Sequence, residues 1–263
     1  MADRLPLIKL QPERVLEWGS FVGASRDCLM RAYPRARLIA VEPDAQRRDA
    51  TTALLVQPWW SPGRWLPGAP PALAEAEVKP GQGQLLWSNM QLHMAHDPQA
   101  VMQAWCAATE VGGFLMFSTL GPGSLAGLRS LYAEAGWPTP MAPLVDMHDL
   151  GDMLMRAGFD DPVMDQQTLT LTWPTPQALL AELRGLGGNV DLGRHGALRT
   201  PRWRDELLRR LAFRADAGGR IAQVFEVVYG HAFKAAPRHA VAPETAVPLD
   251  QMRAMVRGSK GRS

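Results

Sequence analysis

Arg14-Val-Leu-Glu-Trp-Gly19 is a short apolar run closed by an acid and a glycine, and its reading decides the fold. Ser20 to Gly23 turn the chain, Ala24 to Tyr33 have helical spacing with Cys28, Leu29 and Ala32 apolar, and Pro34 ends that helix. Arg37-Leu-Ile-Ala-Val41 follows as a continuous apolar run of strand length, closed by Glu42-Pro43-Asp44. Strand, glycine turn, helix, strand and acid form a βαβ unit, with parallel strands and a right-handed crossover.

The alternation continues outward from this unit. Gln84-Leu-Leu-Trp-Ser88 and Phe114-Leu-Met-Phe-Ser118 read as buried strands around a helix at Pro98 to Ala108, which Gly112-Gly113 is expected to cap. Helices are expected at Ser124–Ala135, Asp149–Ala157 (stopped by Gly158), Thr175–Leu186 and Pro201–Arg214. Met164–Trp173 and Ile221–Phe233 read as two late strands. Gln57 to Gly83 is rich in proline and tryptophan and reads as a surface loop, with one short strand near Arg64 to Leu66. Alternation of this kind gives an α/β fold with an open, mostly parallel sheet covered on both faces. The long last strand, returning after a helical insertion at about 174–220, implies an antiparallel edge. The expected domain spans 13–235, and the Ala/Pro-rich segment 236–263 is expected to be disordered.

Bulk composition narrows the function classes. The chain has 263 residues, 46% hydrophobic and 21% charged, which suits one large α/β domain. The segment from Ala236 carries five basic residues against Glu244 and Asp250, so of the formal net charge of +2 the tail holds +3 and the body −1. A near-neutral body argues against a nucleic-acid groove. Cys28 and Cys106 stand far apart with no metal-ligand spacing, and no stretch approaches the roughly 20 apolar residues of a membrane span. A monomeric, cytoplasmic protein is expected, without nucleic-acid or membrane partners and without a metal.

Ligands of such sheets bind at the carboxyl ends of the strands, where strand order reverses. Three places qualify. Glu17, Gly19 and Gly23 form the first turn, where a missing Cβ lets backbone approach a ligand. Glu42 ends the second strand, where an acid accepts hydrogen bonds from ribose hydroxyls. Ser88 and Asn89 open the loop after the fourth strand and lead to His93. Each has a plainer reading alone: a tight turn, a helix-start acid, turn formers and a packed histidine. Together they favour a nucleoside-type site.

The stretch Trp87-Ser-Asn-Met-Gln-Leu-His93, followed by Gly112-Gly-Phe-Leu-Met-Phe-Ser-Thr-Leu-Gly-Pro-Gly-Ser-Leu125, closely resembles the malonyl-(acyl-carrier protein) O-methyltransferases of biotin synthesis. Leu183-Arg-Gly-Leu-Gly-Gly-Asn189 is similar to that family's insertion. The resemblance runs from about Arg14 to Phe233, strongest at Trp87–Leu125 and Pro174–Asn189. It implies a Rossmann-like class I methyltransferase with a mostly parallel seven-stranded sheet. It also implies S-adenosyl-L-methionine (SAM) as cofactor, held by Glu17, Gly19, Gly23, Glu42, Ser88 and Asn89. The acceptor would be the free carboxylate of a malonyl thioester on acyl-carrier protein. Methylating a carboxylate needs positioning and a cation rather than a general base, and Arg129 and Arg184 are the candidates for that cation. The helix bearing Arg202, Arg204, Arg209, Arg210 and Arg214 is a candidate face for the acidic carrier protein.

Three departures from the family pattern fall on the cofactor side. Phe21 stands where the first motif has its middle glycine, and must point away or fill the cofactor's space. Gln57 to Pro71 offers no acid for the end of the third strand. Only Met1 to Glu13 precede the first strand, too little for the family's lead-in helix. These leave a catalytically degenerate fold as the alternative to a working enzyme. An NAD-dependent oxidoreductase is a weaker third, because the turn lacks the dinucleotide fingerprint.

Overall fold

The structure is a computed structural model that describes residues 1–55, 72–186, 189 and 191–236. Its centre is a seven-stranded sheet: β1 Arg14–Trp18, β2 Arg37–Glu42, β3 Ala72–Ala74, β4 Gly83–Asn89, β5 Thr109–Leu120, β6 Asp160–Trp173 and β7 Ile221–Phe233. The spatial order is β3-β2-β1-β4-β5-β7-β6, with β1 to β5 parallel and β7 antiparallel to both β5 and β6. Sequence order reverses between β1 and β4, so the crevice expected to bind ligands opens above those two strands.

The continuous apolar runs are buried on both faces. Along β5, Phe114 and Met116 join a cluster with Leu5, Leu29 and Tyr33 on one side, while Leu115 and Phe117 join Trp105, Leu154 and Phe159 on the other. Period-two alternation produces this split. Burying each such side chain stabilises the fold by about 1.5–3 kcal/mol. β7 approaches β5 so closely at Gly230 that any Cβ there would overlap the Phe117 ring.

The helices are α1 Ser20–Gly23, α2 Arg26–Ala32, α3 Ala45–Leu55, α4 Pro98–Ala108, α5 Ala126–Glu134, α6 Met147–Ala157, α7 Pro176–Gly185 and α8 Pro201–Phe213. Three start in the same way. Asp97, Thr175 and Thr200 accept backbone N–H bonds from Ala100, Ala178 and Trp203, and each is followed by a proline at the first helical position. α4 and α6 cover one face of the sheet. α5, α7 and α8 pack with Trp173, Ile221 and Phe225 of the late strands.

Several expectations need correction. Gly112 and Gly113 do not cap α4; β5 begins at Thr109 directly after the helix, and both glycines lie inside the strand, Gly112 at φ +81°. α3 is a helix that its weak amphipathic pattern did not announce, with Thr51 its one fully buried residue. The strand expected near Arg64 to Leu66 lies outside the described residues, as does the segment 237–263. The third strand of the sheet is Ala72–Ala74. No described helix is long and apolar enough to cross a membrane.

Candidate active site

The first turn is built on backbone geometry that only glycine adopts freely. Gly19 sits at φ +71°, and its N–H donates to the Val41 carbonyl at 2.7 Å, tying β1's end to β2. One helical turn, Ser20–Gly23, follows and is stopped by Ala24 at φ +44°. Asn89 from the end of β4 donates to the Gly23 carbonyl at 2.8 Å, and its own oxygen accepts from Ser118. Glu17, Gly19, Gly23, Glu42, Ser88 and Asn89 are thus gathered around one loop, with Ser88 beside Trp18 in the β1–β4 register.

Two acids flank this loop and both are buried. One oxygen of Glu17 accepts from the Ser20 hydroxyl at 2.7 Å and lies 3.7 Å from the Arg26 guanidinium; the other has no partner. One oxygen of Glu42 accepts from the Phe21 N–H at 2.7 Å and the Thr51 hydroxyl at 2.6 Å; the other has no partner. Burial raises the pKa of both carboxyls, opposed by these hydrogen bonds and by Arg26 and Arg47 respectively.

A third acid completes the row. Glu75 follows β3 directly and accepts from the Trp18 indole N–H at 2.8 Å. The acid that Gln57 to Pro71 fails to supply is present after all, because β3 lies further along the chain than the proline-rich stretch suggested. Glu17, Glu42 and Glu75 stand at the carboxyl ends of three adjacent strands.

Phe21 does not fill the space beside Gly19. Its ring is 45% exposed and lines the neighbouring cavity. The space is taken by the Gln91 side chain, which lies where a Cβ on Gly19 would be. Gln91 is buried, its amide nitrogen has no partner, and its oxygen accepts from Arg47 at 3.3 Å. The hydroxyl of buried Ser88 is likewise unpartnered. Unpaired buried polar atoms cost about 1–3 kcal/mol each, so this pattern suits a site that a hydroxyl- and charge-bearing ligand completes. Gln91 is a flexible side chain, and its displacement would open the glycine cradle.

Beyond the loop a cavity of about 630 Å³ runs from Phe21, Val22 and Arg47 to Leu183, Leu186 and Asn189 of the insertion. Its walls are mostly apolar, including Met90, Leu120, Leu171 and Phe225. Asn189 holds the far end by donating to the Thr139 carbonyl at 3.1 Å. A smaller cavity of about 360 Å³ shares His93, Leu120, Ala142 and Leu144 with it. Burial lowers the His93 pKa to about 4, so its imidazole is neutral at pH 7. Neither Arg129 nor Arg184 lines either cavity. The Arg129 guanidinium donates to the Pro122 carbonyl, and Arg184 is exposed on the last turn of α7.

No family model matches the chain. Individual relatives do. A malonyl-(acyl-carrier protein) O-methyltransferase of Gallionella capsiferriformans is 35% identical over 90% of this chain and 82% of its own length. The Laribacter hongkongensis protein of the same name is 35% identical over 90% of this chain and 81% of its own length. The chain belongs to the malonyl-(acyl-carrier protein) O-methyltransferase family. A Nitrosospira multiformis member matches at 31% over 93% of this chain and 84% of its own length.

Among solved structures, a Bacillus halodurans C-125 protein assigned as a methyltransferase has a TM-score of 0.58 at 12% identity, over 89% of this chain and 99% of its own. The YcgJ protein of Bacillus subtilis scores 0.56 at 9% identity, over 88% and 96%. These likenesses, with the strand order, establish the class I Rossmann-like methyltransferase fold. Membership of a methyltransferase family supports an enzyme, and the comparisons give no support to a catalytically degenerate fold.

Arg47, Gln91 and Glu75 were not singled out from the sequence. Gln91 lies two residues beyond Asn89 in a stretch already quoted, and Glu75 is the first acid after the proline-rich segment. Arg47 carries no signal beyond lying on the helix after Glu42.

Proposed function

We propose that this chain transfers a methyl group from SAM to the free carboxylate of a malonyl thioester carried on acyl-carrier protein. Family membership across 90% of the chain carries this reading. The orphaned polar atoms beside Gly19 and the adjoining, mostly apolar cavity fit it in kind.

The cofactor would be held by Glu17, Gly19, Gly23, Glu42, Ser88 and Asn89, with Glu75 as a further acid at the adenine end. When bound, SAM supplies an electrophilic methyl group on a sulfonium. The acceptor carboxylate is ionised at pH 7 and needs no base, so the protein's task is alignment and exclusion of water. Glu42 shapes the glycine turn through the Phe21 amide, and the cavity beside it is walled mostly by apolar side chains.

The carrier protein would dock on α8. Arg202 and Arg204 are exposed on it with no ion-pair partner among the described residues, while Arg209 and Arg210 pair with Glu206, and Arg214 with Glu134. Charge reversal at Arg204 and Arg209 should weaken binding of malonyl-carrier protein; unchanged binding would remove that surface from the account.

The reaction is tested by incubating the protein with SAM and malonyl-carrier protein and measuring the acyl group by mass spectrometry. A malonyl methyl ester is expected. Absence of methyl transfer to both malonyl-carrier protein and malonyl-coenzyme A would overturn the assignment.

A further inference from the structure

A carboxylate entering a mostly apolar cavity loses its hydration, and that loss is compensated only where a cation or several donors meet it. The cavity offers few polar groups for this purpose. His93 is neutral at pH 7. Glu182 has the wrong sign and accepts from the Trp173 indole. Asn189 is committed at both ends, donating to the Thr139 carbonyl and accepting from the Asp191 N–H. Among the described residues that line the cavity, Arg47 is the one lysine or arginine.

Arg47 is also placed and free enough to serve. It lies on α3, five residues after Glu42, and lines the cavity beside Phe21 and Val22. Its present contacts are loose: Nε is 3.3 Å from an oxygen of half-exposed Asp44, and Nη1 donates at 3.3 Å to Gln91. Gln91 packs on Gly19, so a carboxylate held by Arg47 would sit next to the glycine turn. Its fork geometry suits a carboxylate in two-point contact.

We infer that Arg47 binds the free carboxylate of the acyl acceptor and thereby selects carboxyacyl thioesters over neutral ones. This rests on the proposed reaction and supplies the cation that neither Arg129 nor Arg184 brings to the cavity. The cofactor's own carboxylate is the other possible source of the same chemistry. The acceptor is favoured because Arg47 shares a cavity with the apolar acyl walls. Glu17, Glu42 and Ser88, whose orphaned atoms mark the cofactor side, do not line that cavity.

The test is calorimetric and needs no turnover. Malonyl-pantetheine and acetyl-pantetheine are each titrated into the protein saturated with S-adenosylhomocysteine. The wild type should prefer the malonyl compound. Arg47→Gln should lose about tenfold or more in malonyl affinity with acetyl affinity within about twofold, and Arg47→Lys should recover part of the loss. The inference is overturned if the wild type does not distinguish the two thioesters, or if Arg47→Gln weakens both equally. It is also overturned if S-adenosylhomocysteine affinity falls while the malonyl-to-acetyl ratio holds, which would assign Arg47 to the cofactor. A ratio that collapses in Arg47→Gln, in a wild type that transfers no methyl group, would keep the carboxylate site and discard the proposed reaction.

Discussion

The two halves of the crevice are built on opposite plans. The half around the glycine turn, proposed to hold the cofactor, is polar and closed: Glu17, Glu42, Ser88 and Gln91 are all buried, each with at least one atom lacking a partner. The half proposed to take the acceptor is apolar and open, with large side chains such as Leu169 and Leu171 at 40% and 45% exposure along its wall. A polar half that closes on itself leaves hydrogen bonds unmade until a polar ligand arrives. An apolar half needs no such completion and takes its specificity from the few charges at its edge.

The largest effect expected from this contrast is on stability. Glu42→Ala leaves the Phe21 amide and the Thr51 hydroxyl without their acceptor, and should cost about 2 kcal/mol in urea denaturation as well as abolishing SAM binding. Leu171→Ala on the open wall should cost under about 1 kcal/mol. Equal losses would erase the distinction between the halves.

Next comes cofactor affinity. Gln91→Ala clears the space beside Gly19 and should tighten SAM binding by about 1 kcal/mol, roughly fivefold. Phe21→Gly should change it by less than about twofold, because the ring already faces the cavity. The reverse ranking in a calorimetric titration would return Phe21 to the role of obstruction.

The pH dependence of stability should differ in sign between the halves. Glu42 has a raised pKa when folded, so its contribution is full below pH 4.5 and is lost as pH rises through the raised value. His93 has a lowered pKa, so its contribution is full above pH 6.5 and is lost as pH falls toward about 4. His93 is partly solvent-accessible, so its share is about 1–2 kcal/mol rather than the full linkage value. Relative to wild type, Glu42→Gln and His93→Asn should therefore shift the stability profile in opposite directions across pH 4–7. Parallel shifts would show that burial is not the common cause.

Smallest of all should be Arg129→Ala and Arg184→Ala, each changing malonyl-pantetheine affinity by less than about twofold, since neither side chain lines the cavity. A tenfold loss from either would move the carboxylate site away from Arg47.

The central strands were legible because both of their faces are buried: runs such as Leu85–Trp87 and Phe114–Phe117 leave no other reading. The Asp97-Pro98, Thr175-Pro176 and Thr200-Pro201 starts were equally plain. The third strand was not, because three residues of Ala72-Leu-Ala74 carry no periodicity, and missing it hid Glu75. That Glu17, Gly19, Gly23, Glu42, Ser88 and Asn89 gather around one loop was legible because strand ends can be read from the chain. Gln91 and Arg47 were missed because their importance lies in where flexible side chains fold back, a tertiary fact with no local signature. Arg129 and Arg184 have the right charge at promising places in the chain, neither of which says where a side chain points.

The half around the glycine turn is closed by Gln91 yet is expected to bind SAM. SAM titrated in parallel into wild-type protein and Gln91→Ala tests this most directly. The expected result is saturable binding to both, tighter in the variant. No binding to either protein would contradict it.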